Sequence, residues 1–236
     1  MTAPQKIVSQ TEWLKAREEL LAQEKKFTKE RDALSRQRRE MPWVEVTKPY
    51  QFETPDGKKS LADLFAGKSQ LIVYHFMFHP DWTAGCKSCS FWADNYNGTL
   101  DHLAARDTAM VAISRAPLAK LEAFKQRMGW QFPWVSAIGE DFTHDFGVSF
   151  TKDEIASKEK LYNYGTRAFG IEDAPGISVF AKDASGKIFH TYSCYSRGLD
   201  MLNGAYHLLD LTPKGRDEAN LSHAMSWVRL HDEYGK

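Results

Sequence analysis

The chain is poor in cysteine. Three in 236 residues make no disulfide scaffold, so a reducing cytoplasm is the expected compartment. Long hydrophobic runs are missing as well. The longest, Leu71 to Phe78, is interrupted by His75 and is far too short to span a bilayer. The opening stretch MTAPQKIVSQTEW lacks the apolar core of a secretion signal, so no membrane partner is expected. There is no net charge: 31 basic and 31 acidic residues sum to +0, which argues against nucleic acid as a partner. The sequence has no G-x-G-x-x-G, no phosphate loop and no H-E-x-x-H. His144-Asp145 has no activated serine beside it, so no hydrolase triad can be built and no cofactor is implied. What is present is 42% apolar residues, enough for a sizeable core, at a mean hydropathy of -0.50.

Residues 9 to 40 read as helix. Ser9 or Thr11 can cap it, and Glu12 lies three after Ser9, a capping-box spacing. Trp13, Ala16, Leu20, Leu21, Phe27 and Leu34 give an imperfect apolar stripe. One or two amphipathic helices result, laid on the domain or on a partner subunit, which keeps a homodimer open. Pro42 ends this region. Short strands follow at Trp43–Val46 and Tyr50–Glu53, then a turn over Thr54–Lys58 and a short helix from Leu61 to Phe65 capped by Ser60. Leu71 to Phe78 reads as a strand buried on both faces, with a helix at Ser88 to Tyr96. A second buried strand, Ala109–Ile113, precedes a helix over Leu118–Met128, and Phe132–Ser136 is a third strand. Asp141 to Tyr164 reads as an insertion, helical over Ile155–Tyr164. Two strands, Ile177–Ala181 and Ile188–Tyr192, form a hairpin, and Leu199–Leu209 is a closing helix. In the tail, Trp227, Val228 and Leu230 are candidate anchors. This alternation predicts an α/β domain with a mainly parallel part and an antiparallel edge hairpin.

Two of the three cysteines stand together at the end of the first buried strand, as Cys86-Lys87-Ser88-Cys89. A two-residue gap in the first helical turn brings both sulfurs within bonding range. The first thiol faces free backbone N–H groups and the positive end of the helix dipole, which favours its thiolate. Cys86 is therefore the expected nucleophile and Cys89 the resolving thiol. Trp82 and Trp92 bracket the pair and can cover it or simply pack. Thr83, three before Cys86, is within reach of its sulfur. Asp81 can steer protons at the resolving cysteine if the turn folds back. Arg115 and Arg167 are candidate charge partners for a thiolate or an anion. A metal would need His79, Cys86 and Cys89 with His75 or Asp81 as a fourth ligand, but no second Cys or His pair has structural-site spacing, so no metal is assigned. Cys194 is remote in sequence and reads as inert.

The stretches YHFMFHPDWTAGCKSCSFWADNYNG (74–98), ISRAPLAKLEAFKQRMGWQFPWVS (113–136), DFGVSF (145–150) and VFAKDASGKIFHTYSCYSRGLDMLNGAYHLLDLTPKGRDE (179–218) resemble the DUF899 family. This is a group of bacterial and fungal proteins assigned a thioredoxin-like fold. The middle of the chain is also similar to the peroxiredoxin and thiol-disulfide oxidoreductase branches. The resemblance implies a thioredoxin-like fold: a central mixed sheet of four or five strands flanked by helices, with the dithiol at a sheet-edge helix N-terminus. An N-terminal helical extension (1–42) and a C-terminal addition (212–236) flank the core domain (43–211). Cys86 matches the thioredoxin nucleophile and Cys89 the resolving cysteine. Thr83 and Cys86 match the peroxiredoxin spacing, but Pro80 is one residue too close to Thr83. Thioredoxins carry a cis-proline before the strand that faces the dithiol, and Pro175 is the nearby proline, shifted by a residue.

Three readings follow. The first is a thiol-disulfide oxidoreductase acting on a disulfide-containing substrate. The second is a thiol peroxidase that takes a peroxide at Cys86 and is reset by a thiol reductant. The third is a non-catalytic thioredoxin-like interaction module.

Overall fold

Ser9 and Glu12 form the capping box that their spacing predicts: the Ser9 hydroxyl accepts from the Glu12 amide, and the Glu12 carboxylate accepts from the Ser9 amide. In the computed structural model, which describes residues 5–137, 139, 141–158 and 160–235, the cap starts one unbroken helix, α1 (Gln10–Arg39). Arg36, Arg38 and Arg39 in its last turn complement the helix dipole. The chain divides into two compact units, Met1–Pro42 and Trp43–Lys236. Within the first unit α1 is the one described element, so its apolar stripe has no neighbouring element of that unit to pack against. No helix among the described residues is long and apolar enough to cross a membrane.

The second unit is built on one eight-stranded sheet. Its elements in chain order are β1 (Val44–Glu45), β2 (Gln51–Thr54), β3 (Gly57–Ser60), α2 (Leu61–Leu64), β4 (Gln70–His75), α3 (Lys87–Ala93), α4 (Leu100–Ala105), β5 (Thr108–Ser114), α5 (Leu118–Arg127), β6 (Trp134–Ala137), α6 (Asp141–Asp145), α7 (Lys152–Ser157), α8 (Tyr162–Gly165), β7 (Gly176–Lys182), β8 (Ile188–Tyr195) and α9 (Gly204–Asp210). Across the sheet the order is β1-β8-β7-β4-β5-β6-β2-β3. β4, β5 and β6 run parallel, and β7 runs antiparallel to β4. This is the α/β, thioredoxin-like architecture: a mixed central sheet flanked by helices, with an N-terminal helix and additional C-terminal elements.

β4 is central and buried on both sides, as its apolar run requires. Leu71 and Val73 point into one cluster with Phe52, Leu61 and Phe180. Tyr74 points into the other with Cys89, Trp92, Leu121, Phe124, Trp134 and Tyr206. Thus α3, α5 and α9 cover one face while α2 and α6 cover the other. Fully burying one such large side chain stabilises the fold by roughly 1.5–3 kcal/mol, so these two layers dominate its stability.

Several sequence expectations change. The sheet has eight strands rather than four or five, because β2 and β3 form a hairpin added beside β6 and because Val44 and Glu45 pair with His190 and Phe189. That pairing covers β8, so the β7–β8 hairpin is interior and not an edge. The dithiol helix follows the central strand β4 and not a lateral edge strand. In the insertion, helix forms at Lys152–Ser157, where Thr151 and Glu154 make a capping box. Lys158 then turns left-handed, and Glu159 lies outside the described residues, so the expected helix over 155–164 is replaced. Asn163 and Tyr164 are also left-handed. The closing helix is broken at Asn203. This fully buried residue takes extended backbone angles and caps α9 by accepting from the Tyr206 amide; a 3-10 stretch, Ser196–Leu202, precedes it. In the tail, Val228 and Leu230 are buried, and the Trp227 ring N–H donates to Glu218 at 2.6 Å.

Candidate active site

β4 ends at His75, and the chain then folds over the ends of β4 and β5. Phe76 N–H donates to Ile113 O, Ala116 N–H to Phe78 O, and Cys86 N–H to Met77 O at 3.0 Å. The last of these fixes where α3 begins. Gly85 is needed immediately before it: a Cβ there would stand 2.8 Å from Phe76 Cε1 and 2.9 Å from Phe124 Cε1. Those two rings pack the loop against the core, and only a residue without a side chain passes between them.

Cys86 is the N-cap residue of α3 and is partly exposed; Cys89, one turn on, is only 2% exposed. None of the three cysteines is in a disulfide. The two thiols of the pair differ sharply. The Cys89 thiol hydrogen-bonds to the Cys86 sulfur, and this, ahead of the opposing effect of burial, brings the Cys86 pKa down to about 7. The amides of Cys89 and Ser88 and the Ser88 hydroxyl act in the same direction, without an ordinary capping bond at the helix start. Burial, together with the neighbouring Cys86, pushes the Cys89 thiol well up. One sulfur is therefore poised as a nucleophile at neutral pH while the other keeps its proton. Tyr74 spans the gap to the sheet: its hydroxyl donates to Cys89 O at 3.1 Å. The pair is a dithiol at the head of a helix in a thioredoxin-like fold.

The other sequence candidates fall in different places. Trp92 is buried beside the pair, and its ring N–H donates to Leu199 O at 2.7 Å. Trp82 is only partly buried and lies over His79, with ring centroids 6.2 Å apart. Thr83 is exposed and is not among the groups acting on the Cys86 sulfur. Asp81 is exposed; its amide donates to His79 Nδ1 at 3.2 Å. His79 faces Glu172 at 3.7 Å. Arg115 pairs with Asp173 at 2.6 Å, both side chains being almost fully buried. Burial raises the Asp173 carboxyl, against the pull of Arg115. Pro175 is preceded by a trans peptide, since no cis bond occurs among the described residues; the cis-proline carried over from thioredoxins is therefore absent. The Pro175 carbonyl accepts from the Tyr162 hydroxyl. His75 is held in the sheet by Ser178, Nε2 to Oγ at 2.8 Å, on the face away from the pair. Among the described residues no three His, Cys, Asp or Glu side chains are placed to hold a metal ion. Cys194 lies on β8 opposite Ile177, buried in the same cluster as Cys89.

Sequence reasoning gave no role to Ser88, Tyr74 or Tyr162. Ser88 had a signal, as a hydroxyl between the two cysteines in a first helical turn. Tyr74 and Tyr162 had none, because their contacts with this region depend on long-range folding. A cavity of about 270 Å³ borders Ser88 and Cys89, with Trp92, Tyr162, Leu199 and Arg167 among its walls.

A family model described as "Bacterial protein of unknown function (DUF899)" matches residues 2–234. No curated protein sequence matches the chain. Among solved structures, the peroxidoxin BcpB from Mycobacterium tuberculosis is similar with a TM-score of 0.47 and 15% identity, over 69% of this chain and 93% of that one. A peroxiredoxin Q from Xanthomonas campestris gives 0.44 and 16%, over 67% and 88%. The mitochondrial 2-cys peroxiredoxin from Plasmodium falciparum gives 0.40 and 12%, over 70% and 92%.

Proposed function

The chain belongs to the DUF899 family, whose description assigns no activity, and from the thiol pair itself we propose that it is a two-cysteine redox enzyme, a thiol peroxidase. The observation that carries this reading is the asymmetry of the pair: a partly exposed Cys86 with a pKa near 7 beside a buried Cys89 held as the thiol. The Cys86 thiolate attacks the outer oxygen of a hydroperoxide. The O–O bond breaks, the alkoxide leaves and takes a proton, and Cys86 becomes a sulfenic acid. The Cys89 thiol then condenses with it, forming the S–S bond and releasing water. Two electrons from an external thiol reset the pair. A small oxidant suits the surroundings. The Pro175 carbonyl is already used by Tyr162, and Gly176 is paired with both His75 and Tyr195, which leaves little free backbone for an extended peptide to dock against.

The test is stoichiometric oxidation of the reduced protein by hydrogen peroxide at pH 7. The expected result is loss of two thiols per chain, faster than free cysteine, with the Cys89→Ser variant stopping at a sulfenate that dimedone traps. A rate no better than free cysteine overturns the peroxidase reading.

A second reading, a thiol-disulfide oxidoreductase, is favoured by one observation: the strongest support of the Cys86 thiolate is the resolving thiol itself. That arrangement also serves attack on a substrate disulfide followed by internal release. A midpoint potential measured against glutathione buffers checks it. A pair that forms no disulfide under either oxidant leaves a thioredoxin-like interaction module.

A further inference from the structure

The two sulfurs have different surroundings. Cys89 and Ser88 border the cavity of about 270 Å³, and Cys86 is not among the residues lining it. The walls are largely apolar, with Trp92, Tyr162, Leu199 and Met225 contributing. Their polar atoms are already satisfied within the protein: the Trp92 ring N–H donates to Leu199 O at 2.7 Å, and the Tyr162 hydroxyl donates to Pro175 O. Two exposed guanidinium groups, Arg167 and Arg197, and the Asp200 carboxylate are also among its lining residues. Arg197 is tied to Asp200 at 2.7 Å. The Arg167 side chain makes one long hydrogen bond, 3.3 Å to Ser196 Oγ, and has no carboxylate partner among the described residues. A largely apolar chamber bordered by Cys89 and by a guanidinium with no described carboxylate partner selects a small molecule with an apolar body and one negative charge.

We propose that this cavity receives the reductant that resets the centre, a small organic thiol with an apolar body and one anionic group, and that this thiol attacks the sulfur of Cys89 rather than that of Cys86. The proposal rests on the dithiol–disulfide cycle above. The reductant's thiolate forms a new S–S bond to Cys89 as the Cys86–Cys89 bond breaks, and the electron pair leaves on Cys86. A second reductant thiolate attacks the sulfur of the first. This releases the small disulfide, and Cys89 takes a proton from solvent. Two reductant thiols are oxidised and one protein disulfide is reduced. The direction of cleavage agrees with the thiol chemistry, because the lower-pKa sulfur, Cys86, is the better leaving group.

Lys87 makes the test direct. Trypsin cuts after it, which places Cys86 and Cys89 on separate peptides. The protein is oxidised with diamide, treated briefly with para-mercaptophenylacetate, quenched with iodoacetamide and digested. The expected result is the aryl thiol on the Cys89 peptide and the alkyl group on the Cys86 peptide. In steady-state reduction, the acid is expected to beat its neutral amide about tenfold in kcat/KM. That preference should vanish in Arg167→Gln and return in Arg167→Lys. An adduct on the Cys86 peptide, no preference in the wild type, or a preference that survives Arg167→Gln overturns the proposal alone. If diamide yields no Cys86–Cys89 disulfide, the redox reading falls and this proposal falls with it.

Discussion

The two faces of the sheet treat a titratable group in opposite ways. On the α3 face, Cys86 stays partly exposed, and the Cys89 thiol and nearby amides support its charge, so its pKa falls to about 7. On the α2 face, His75 is buried among Phe142 and Phe146. There burial excludes charge, and the imidazole pKa is pushed down to about 3. His75 hydrogen-bonds to Ser178 at 2.8 Å, Ser178 to Ser193 at 2.9 Å, and Ser193 to His190 at 2.7 Å. His75 ends β4, and the loop that follows it leads to Cys86. The difference lies in what surrounds the ionising atom: a helix start and a second thiol in one case, aromatic rings and neutral hydroxyls in the other. One face is built to hold a negative charge ready, the other to keep a ring neutral.

Four experiments break or sharpen that contrast. The largest effect belongs to the thiols. Cys86→Ser reduces redox turnover to the uncatalysed rate, while Cys89→Ser keeps a single oxidation and loses turnover. In Cys89→Ala, which leaves no donor at that position, the Cys86 titration midpoint rises, since its strongest support is gone; iodoacetamide alkylation against pH reads it. Equal loss of the first oxidation in both serine variants would show that the two sulfurs are not differentiated.

His75 comes next. Its folded pKa lies below the unfolded value of about 6.5, so the native state binds fewer protons between pH 6.5 and 3. Its contribution is intact above pH 6.5 and is lost as the pH falls, by up to about 1.4 kcal/mol per pH unit. Denaturant melts of His75→Phe should show a flatter acid limb, with the Cys86 midpoint unmoved. A coupled shift at Cys86 would mean that the faces are not independent.

Gly85→Ala should cost about 1–3 kcal/mol in a urea melt, because the Phe76 and Phe124 rings must move. It should also slow Cys86 alkylation. Ser88→Ala is the mildest change. Loss of its hydroxyl raises the Cys86 midpoint by less than loss of the Cys89 donor does, slowing alkylation at pH 7 and leaving it unchanged above pH 9.

Much of the site was legible because it is local. The strand, the two cysteines and the helix start lie within 30 consecutive residues, and the Cys-x-x-Cys spacing carries its geometry with it. The parallel strands β4, β5 and β6 were legible from their apolar runs. What could not be read was what depends on partners distant in sequence. Val44 and Glu45 find their strand only when β8 arrives about 145 residues later. Arg115 reads as a free cation until Asp173 meets it. Pro175 is legible as the nearby proline, shifted by a residue, but its peptide geometry and its Tyr162 partner belong to the fold. Thr83 shows the reverse case: correct spacing to Cys86, yet a side chain left outside the group that acts on the sulfur.

The segment after α9 has a consequence for anyone dividing this molecule into parts. Ala224 and Met225 form part of the cavity wall beside Cys89, Ser226 O accepts from Lys87 Nζ at 3.4 Å, and Arg127 grips Asp232 and Glu233. A fragment cut at the end of the last sheet-covering helix would retain every strand and both cysteines. It would nevertheless be a different molecule, lacking Ala224 and Met225 of the chamber wall and the ion pairs held by Arg127. The working unit of this protein extends past its architectural one.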